Sequence, residues 1–157
     1  MGLFLKYWLP LLIWLGVIFL GSTELMSAEY TSRFITPFLL WLKPGMSPQT
    51  IWRILVVVRK CAHVTEYAIL ALLLWRALRR IPTLRAKMSI SFAAGLLACA
   101  LFAASDEFHQ TFVKSRTPSV RDIFLDLAGA LVGLLIGASF AQRHAKESRS
   151  ITQSQLV

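Results

Sequence analysis

The sequence predicts an all-α polytopic membrane protein, a bundle of four transmembrane helices with a short interfacial helix in the first outer loop. Three observations predict it. Of 157 residues, 56% are hydrophobic and only 16% are charged, which leaves more apolar surface than a soluble chain of this length can bury. Four apolar runs, residues 7–21, 51–75, 88–104 and 123–141, each approach the ~20 residues that a ~30 Å hydrocarbon layer requires. The basic residues behind the net charge of +9 are sorted by side of those runs. Residues 1–141 therefore read as one transmembrane domain, and residues 142–157, rich in Ser, Gln and charge, as a cytoplasmic tail expected to be mobile.

The first run follows Lys6 and contains Pro10. Gly21, Ser22 and Thr23 offer no A-x-A-like cleavage site, so it is expected to be a retained anchor helix rather than a secretory signal. In the loop that follows, residues 34–42 with Pro37 and Trp41 are too short to span and are expected to lie along the outer interface. Lys43-Pro44-Gly45 forms a turn. Pro48 and Gln49 precede the second span, which ends in a basic turn with Pro82 as the breaker. The third run ends in Ser105-Asp106-Glu107-Phe108-His109-Gln110, and the fourth begins near Arg121, Asp122 and Asp126.

In this arrangement Lys6, Arg76, Arg79, Arg80, Arg85, Lys87, Arg143, Lys146 and Arg149 share one side with the single acid Glu147, a charge of +8. The other side, with eight cations and seven acids, carries +1. The positive-inside rule makes the first side cytoplasmic and places both termini there, as expected of a multi-pass protein of a bacterial cytoplasmic (inner) membrane. Nucleic acid is excluded as a partner because the cations are divided among short loops, with no soluble domain to present them. Cys61 and Cys99 lie inside apolar runs without metal-ligand spacing and are expected to be buried small hydrophobes. There is no internal repeat, P-loop, G-x-G-x-x-G or G-x-S-x-G.

The second run carries Arg59, Lys60, His63, Glu66 and Tyr67. Ionisable groups in a membrane are costly and mark function. Residues 59, 63, 66 and 67 fall at i, i+4, i+7 and i+8, one stripe of a helix. Asp106, His109 and Gln110 share a face, with Ser105 and Glu107 beside them. Asp122, Asp126, Gly133 and Gly137 share another, with Gly129 close by. The topology brings these three stretches to the outer side, joined by a loop holding Lys114, Arg116 and Ser119. Gly129, Gly133 and Gly137 form a double G-x-x-x-G that lets a second helix approach closely, either within this chain or in a homodimer.

Four readings of the polar groups stand side by side. Arg59, Lys60, Arg116 and Arg121 could pair with Glu66, Asp106, Glu107, Asp122 and Asp126 in an ion-pair network that only fixes helix register. His63 with Glu66 and Asp106 with His109 could hold a divalent metal, although Arg59 and Lys60 would repel it, and no cofactor is expected. The basic groups could hold the phosphate or carboxylate of a ligand. His63 or His109 with a carboxylate could act as acid and base, with Glu66 and Asp106 the further catalytic candidates, but no nucleophile identifies a reaction.

Arg59-Lys60-x-x-His63-x-x-Glu66-Tyr67, Ser105-Asp106-Glu107-x-His109-Gln110 and Arg116-x-x-Ser119-x-x-Asp122, followed by Gly129 and Gly133, resemble the VanZ-like family of small bacterial membrane proteins. The resemblance runs from residue 51 to 137, and Asp126 stands where the family pattern often has Asn. The namesake's link to low-level teicoplanin resistance implies a role at the cell envelope but supplies no reaction, and it does not make this chain a resistance protein. The expected function is binding of an anionic lipid, a lipid-linked cell-wall precursor or a lipoglycopeptide at the outer leaflet. Arg59, Lys60, Arg116 and Arg121 would hold the anion, and Glu66, Asp106 and Asp122 would orient them. The alternatives are an intramembrane enzyme acting on a lipid or lipid-linked phosphate and, last, a small transporter, for which four helices without a repeat give little machinery.

Overall fold

The structure is a computed structural model that describes residues 2–23, 28–113 and 118–154. Every regular element in it is helical: α1 (Gly2–Tyr7), α2 (Leu9–Gly21), α3 (Ala28–Leu42), α4 (Pro48–Leu78), α5 (Pro82–Ala86), α6 (Met88–Gln110) and α7 (Val120–Ser154). Among the described residues three stretches are long and apolar enough to cross a membrane, Phe4–Gly21, Met88–Gln110 and Val120–Arg143. The 31-residue α4 has the length, but Arg53, Arg59, Lys60 and Glu66 interrupt it.

Pro10 explains the division between α1 and α2. Hydrogen bonds continue through Trp8, which donates to the Phe4 carbonyl at 2.8 Å and accepts from Leu12 N–H at 2.9 Å. Proline has no N–H, so the Lys6 carbonyl four residues earlier loses its helical donor. The guanidinium of Arg76, at the far end of α4, donates to it instead at 3.3 Å. Arg76 and Arg80 also lie 5.0 and 4.2 Å from the Tyr7 ring centroid, so the basic end of α4 holds the first helix by cation–π contact as well as by that hydrogen bond.

The helix ends follow local chemistry. Gly45 turns the chain with φ 81°, a left-handed conformation natural to glycine. Ser47 caps α4 by accepting from Thr50 N–H at 3.3 Å, and Pro48 occupies the first helical turn. The outer-loop helix is longer than the expected residues 34–42 and runs over Ala28–Leu42, with Phe34 and Trp41 exposed and Leu39 buried. The third helix extends six residues past the apolar run, to Gln110, because nothing between 105 and 110 breaks it and Glu107 and Gln110 turn inward. The last helix continues through the expected tail to Ser154, over a segment without Pro or Gly.

α4 and α7 run parallel and form the main seam. A Cβ on Gly129 would run into the Val64 carbonyl, one on Gly133 into the Ala68 carbonyl, and one on Gly137 would meet the Trp75 ring. Lipid tails are as apolar as leucine, so this close packing, with interhelical hydrogen bonds, is what holds membrane helices together. The double G-x-x-x-G is spent inside the chain. Around the seam Leu70, Ala71, Leu74, Cys99, Ala103, Ala130 and Leu134 are buried, with Leu11 and Ile18 of α2 beside them. Trp14 ties α2 to α4 by donating to the Glu66 carbonyl at 2.9 Å. Leu12, Ile13 and Val17 of α2, Leu97 and Leu101 of α6, and Val132, Leu135 and Ile136 of α7 point outward, as a lipid-facing surface requires. Cys99 is buried as expected, but Cys61 is exposed. Two residues from the inward-facing His63, it lies on the other side of the helix.

Candidate functional site

The glycine seam positions the first pair of polar groups. With α7 drawn against the α4 backbone, His63 Nδ1 lies 3.0 Å from Asp126 Oδ1. Both residues are buried, at 7% and 0% exposure, so neither can rely on water and each satisfies the other. With the carboxylate accepting, Nδ1 carries the hydrogen and Nε2 remains as the basic ring nitrogen.

α6 supplies the second group from its inward face, where Cys99, Ala103, Glu107 and Gln110 follow at helical spacing. Glu107 Oε2 accepts the Ser119 backbone N–H at 2.6 Å, which fastens the entry of α7 to α6. Asp106 accepts from two sides, the Ser22 hydroxyl of the chain leaving α2 and, at 3.1 Å, Gln110 Nε2. Tyr67, one turn beyond His63 and fully buried, is reached by the fields of Asp126, Asp106 and Glu66. The fields of Asp122 and Asp106 and, with opposite sign, that of His63 reach Glu107. Asp106, Glu107, Asp122, Asp126, Glu66, His63, Tyr67 and Gln110 thus form one cluster built from α4, α6 and α7.

The basic residues stand apart from it. Arg59 is half-buried, Lys60 and Arg121 are exposed, and none of the three forms an ion pair with a carboxylate among the described residues. Arg116 lies outside the described residues. Several buried polar atoms have no hydrogen-bond partner among the described residues: Tyr67 Oη, Glu107 Oε1, Gln110 Oε1, Asp126 Oδ2 and His109 Nδ1. Among the described residues no three His, Cys, Asp or Glu side chains converge to hold a metal ion. His63 is paired across the seam, while His109 packs against Phe19 with ring centroids 4.7 Å apart.

Beside the cluster, between α2, α4 and α6, is a cavity of about 410 Å³. Ser105, Asp106, His109 and Tyr67 form its polar part, and Leu15, Ile18, Phe19, Phe102, Phe108 and Phe112 its apolar part. The contributions of α2 are new relative to the sequence reading, which gave that helix only an anchoring role. Ser22, a small hydroxyl residue directly after an apolar run, was a legible signal. Phe19 and Trp14 had none, because an aromatic in a membrane helix is ordinary.

A helical bundle with a lipid-facing exterior and a buried His–carboxylate pair defines an integral membrane protein with a polar site inside its fold. The chain belongs to the VanZ/LLP1 family, which matches residues 7–141 and so takes in every residue of the cluster and the cavity. No match was found among curated proteins or among solved structures.

Proposed function

We propose that this VanZ/LLP1 protein binds an amphiphile of the cell envelope, a lipid, a lipid-linked cell-wall precursor or a lipoglycopeptide, at the end of the bundle formed by Arg59 to Tyr67, Ser105 to Gln110 and Arg121 to Asp126. One observation carries this reading. The cavity between α2, α4 and α6 is mainly apolar, with Ser105, Asp106, His109 and Tyr67 forming a smaller polar part, as a headgroup joined to a hydrocarbon tail requires. Arg59, Lys60 and Arg121, with no carboxylate partner among the described residues, would supply charge for a phosphate.

In this proposal α4 is the fourth crossing, its charged stripe turned to protein, both termini are cytoplasmic and the site faces outward. Lys43→Cys should then react with a membrane-impermeant maleimide from outside, and Arg85→Cys only after permeabilisation. The reverse pattern would invert the orientation.

Native mass spectrometry of the gently extracted protein tests the binding. A bound amphiphile retained at one per chain, and lost when both Arg59 and Arg121 are neutralised in a protein that still folds, is expected. Spectra of the bare chain at the lowest activation energies would overturn it.

A second reading has its own support. The paired His63 keeps Nε2 as a base, with Asp126 fixing the tautomer, which is the arrangement of a general base. Mass spectrometry of lipids incubated with the protein tests it: a product absent with His63→Gln supports chemistry, and no product across a broad panel leaves binding alone.

A further inference from the structure

We propose that the cavity between α2, α4 and α6 receives the ammonium group of an amine-bearing phospholipid headgroup, the phosphate of the same lipid being left to the basic residues outside it. The proposal rests on the lipid-binding reading and specifies its ligand.

The argument is one of charge complementarity. Five aromatic residues line the cavity, Phe19, Tyr67, Phe102, Phe108 and Phe112, together with the carboxylate of Asp106. Among the described lining residues there is no Lys or Arg. Aromatic faces carry negative potential and attract ammonium ions, most strongly where water is excluded. Asp106 adds a formal charge, and its two donors, Ser22 and Gln110, hold the carboxylate at the wall. Tyr67 keeps an unpartnered hydroxyl whose oxygen can accept an ammonium hydrogen, and Asp126 adds its negative field from behind. An anionic group would meet the Asp106 carboxylate and ring faces here, with His109 but no Lys or Arg among the described lining residues to stabilise it. A headgroup carrying both charges can place its amine within the aromatic cavity and leave its phosphate outside it.

The test uses the full chain in detergent, mixed with equal amounts of phosphatidylethanolamine and phosphatidylglycerol, with retained lipid read by native mass spectrometry. The ethanolamine lipid should be retained about tenfold over the glycerol lipid, the scale of one charge-assisted hydrogen bond. Asp106→Asn keeps the side-chain shape, and Gln110 can turn its amide to pair with it, so the fold should survive while the preference falls to near parity. Phe19→Leu, at a half-exposed ring, should lower the preference by about threefold and gives an independent reading should the first variant unfold. Equal retention of both lipids by the unaltered protein, or a preference unchanged in folded variants, overturns the amine assignment while leaving lipid binding intact. Retention of neither lipid overturns both.

Discussion

His63 and Asp126 show how one residue pair constrains the rest. Burying either alone would leave an unpartnered polar group between helices; together they satisfy one another at 3.0 Å. The requirement is for an acceptor opposite Nδ1, which an amide oxygen also meets. Asp126→Asn should therefore leave the detergent unfolding midpoint nearly unchanged, whereas Asp126→Leu, which strands a buried imidazole, should cost about 1–3 kcal/mol. Equal loss in both variants would show that the charge, not the hydrogen bond, is what the fold needs. Asp106 extends the same logic to α2. It accepts the Ser22 hydroxyl and Gln110 at once, so Ser22→Ala should loosen the chain after α2 and lower lipid retention.

Among the elements, the α4–α7 seam decides the architecture. Gly133 faces the Ala68 carbonyl so closely that a methyl group cannot fit without parting the helices, while nothing lies within 4 Å of a Cβ added at Gly16. Gly133→Ala should destabilise by about 1–3 kcal/mol, the usual scale of overpacking. Gly16→Ala should be neutral or stabilise by up to about 1 kcal/mol through helix propensity. Matching unfolding midpoints for the two variants would contradict the seam. The glycine spacing was legible in the sequence because period four on a helix is a geometric rule. Which helix it met was not, since α4 and α6 both carry small residues, and only the packed structure shows Val64 and Ala68 beneath the glycines. The helices α6 and α7 run on past their apolar runs: hydropathy marks where lipid ends, whereas a helix continues until the backbone is interrupted.

For the whole molecule, the convergence of the Arg59–Tyr67, Ser105–Gln110 and Asp122–Asp126 stretches followed from their sequence order and the topology. The separation of charges within that region did not. Charge counting balanced cations against acids, but the structure draws the carboxylates inward with His63 and Tyr67 and leaves Lys60 and Arg121 on the surface. Long basic side chains can reach out to an interface while short acidic ones are confined to the helix seam. The aromatic cavity was illegible for a related reason, since its lining comes from α2, α4 and α6 and no single segment reports it. The resulting molecule has an ordinary lipid-facing exterior and, between α2, α4 and α6, a cavity where polar and apolar linings meet.

That contrast sets the most direct test. A phospholipid carrying a photoreactive group near its headgroup, activated in membranes containing the protein, should label residues 102–112, at and just after the end of α6, and Phe19 of α2 well above Leu97, Leu131 and Leu135, which are also exposed. Preferential labelling of the cavity, competed away by excess unlabelled lipid, is the predicted result. Labelling spread evenly over the exposed faces of α6 and α7 would contradict a lipid-binding site in this protein.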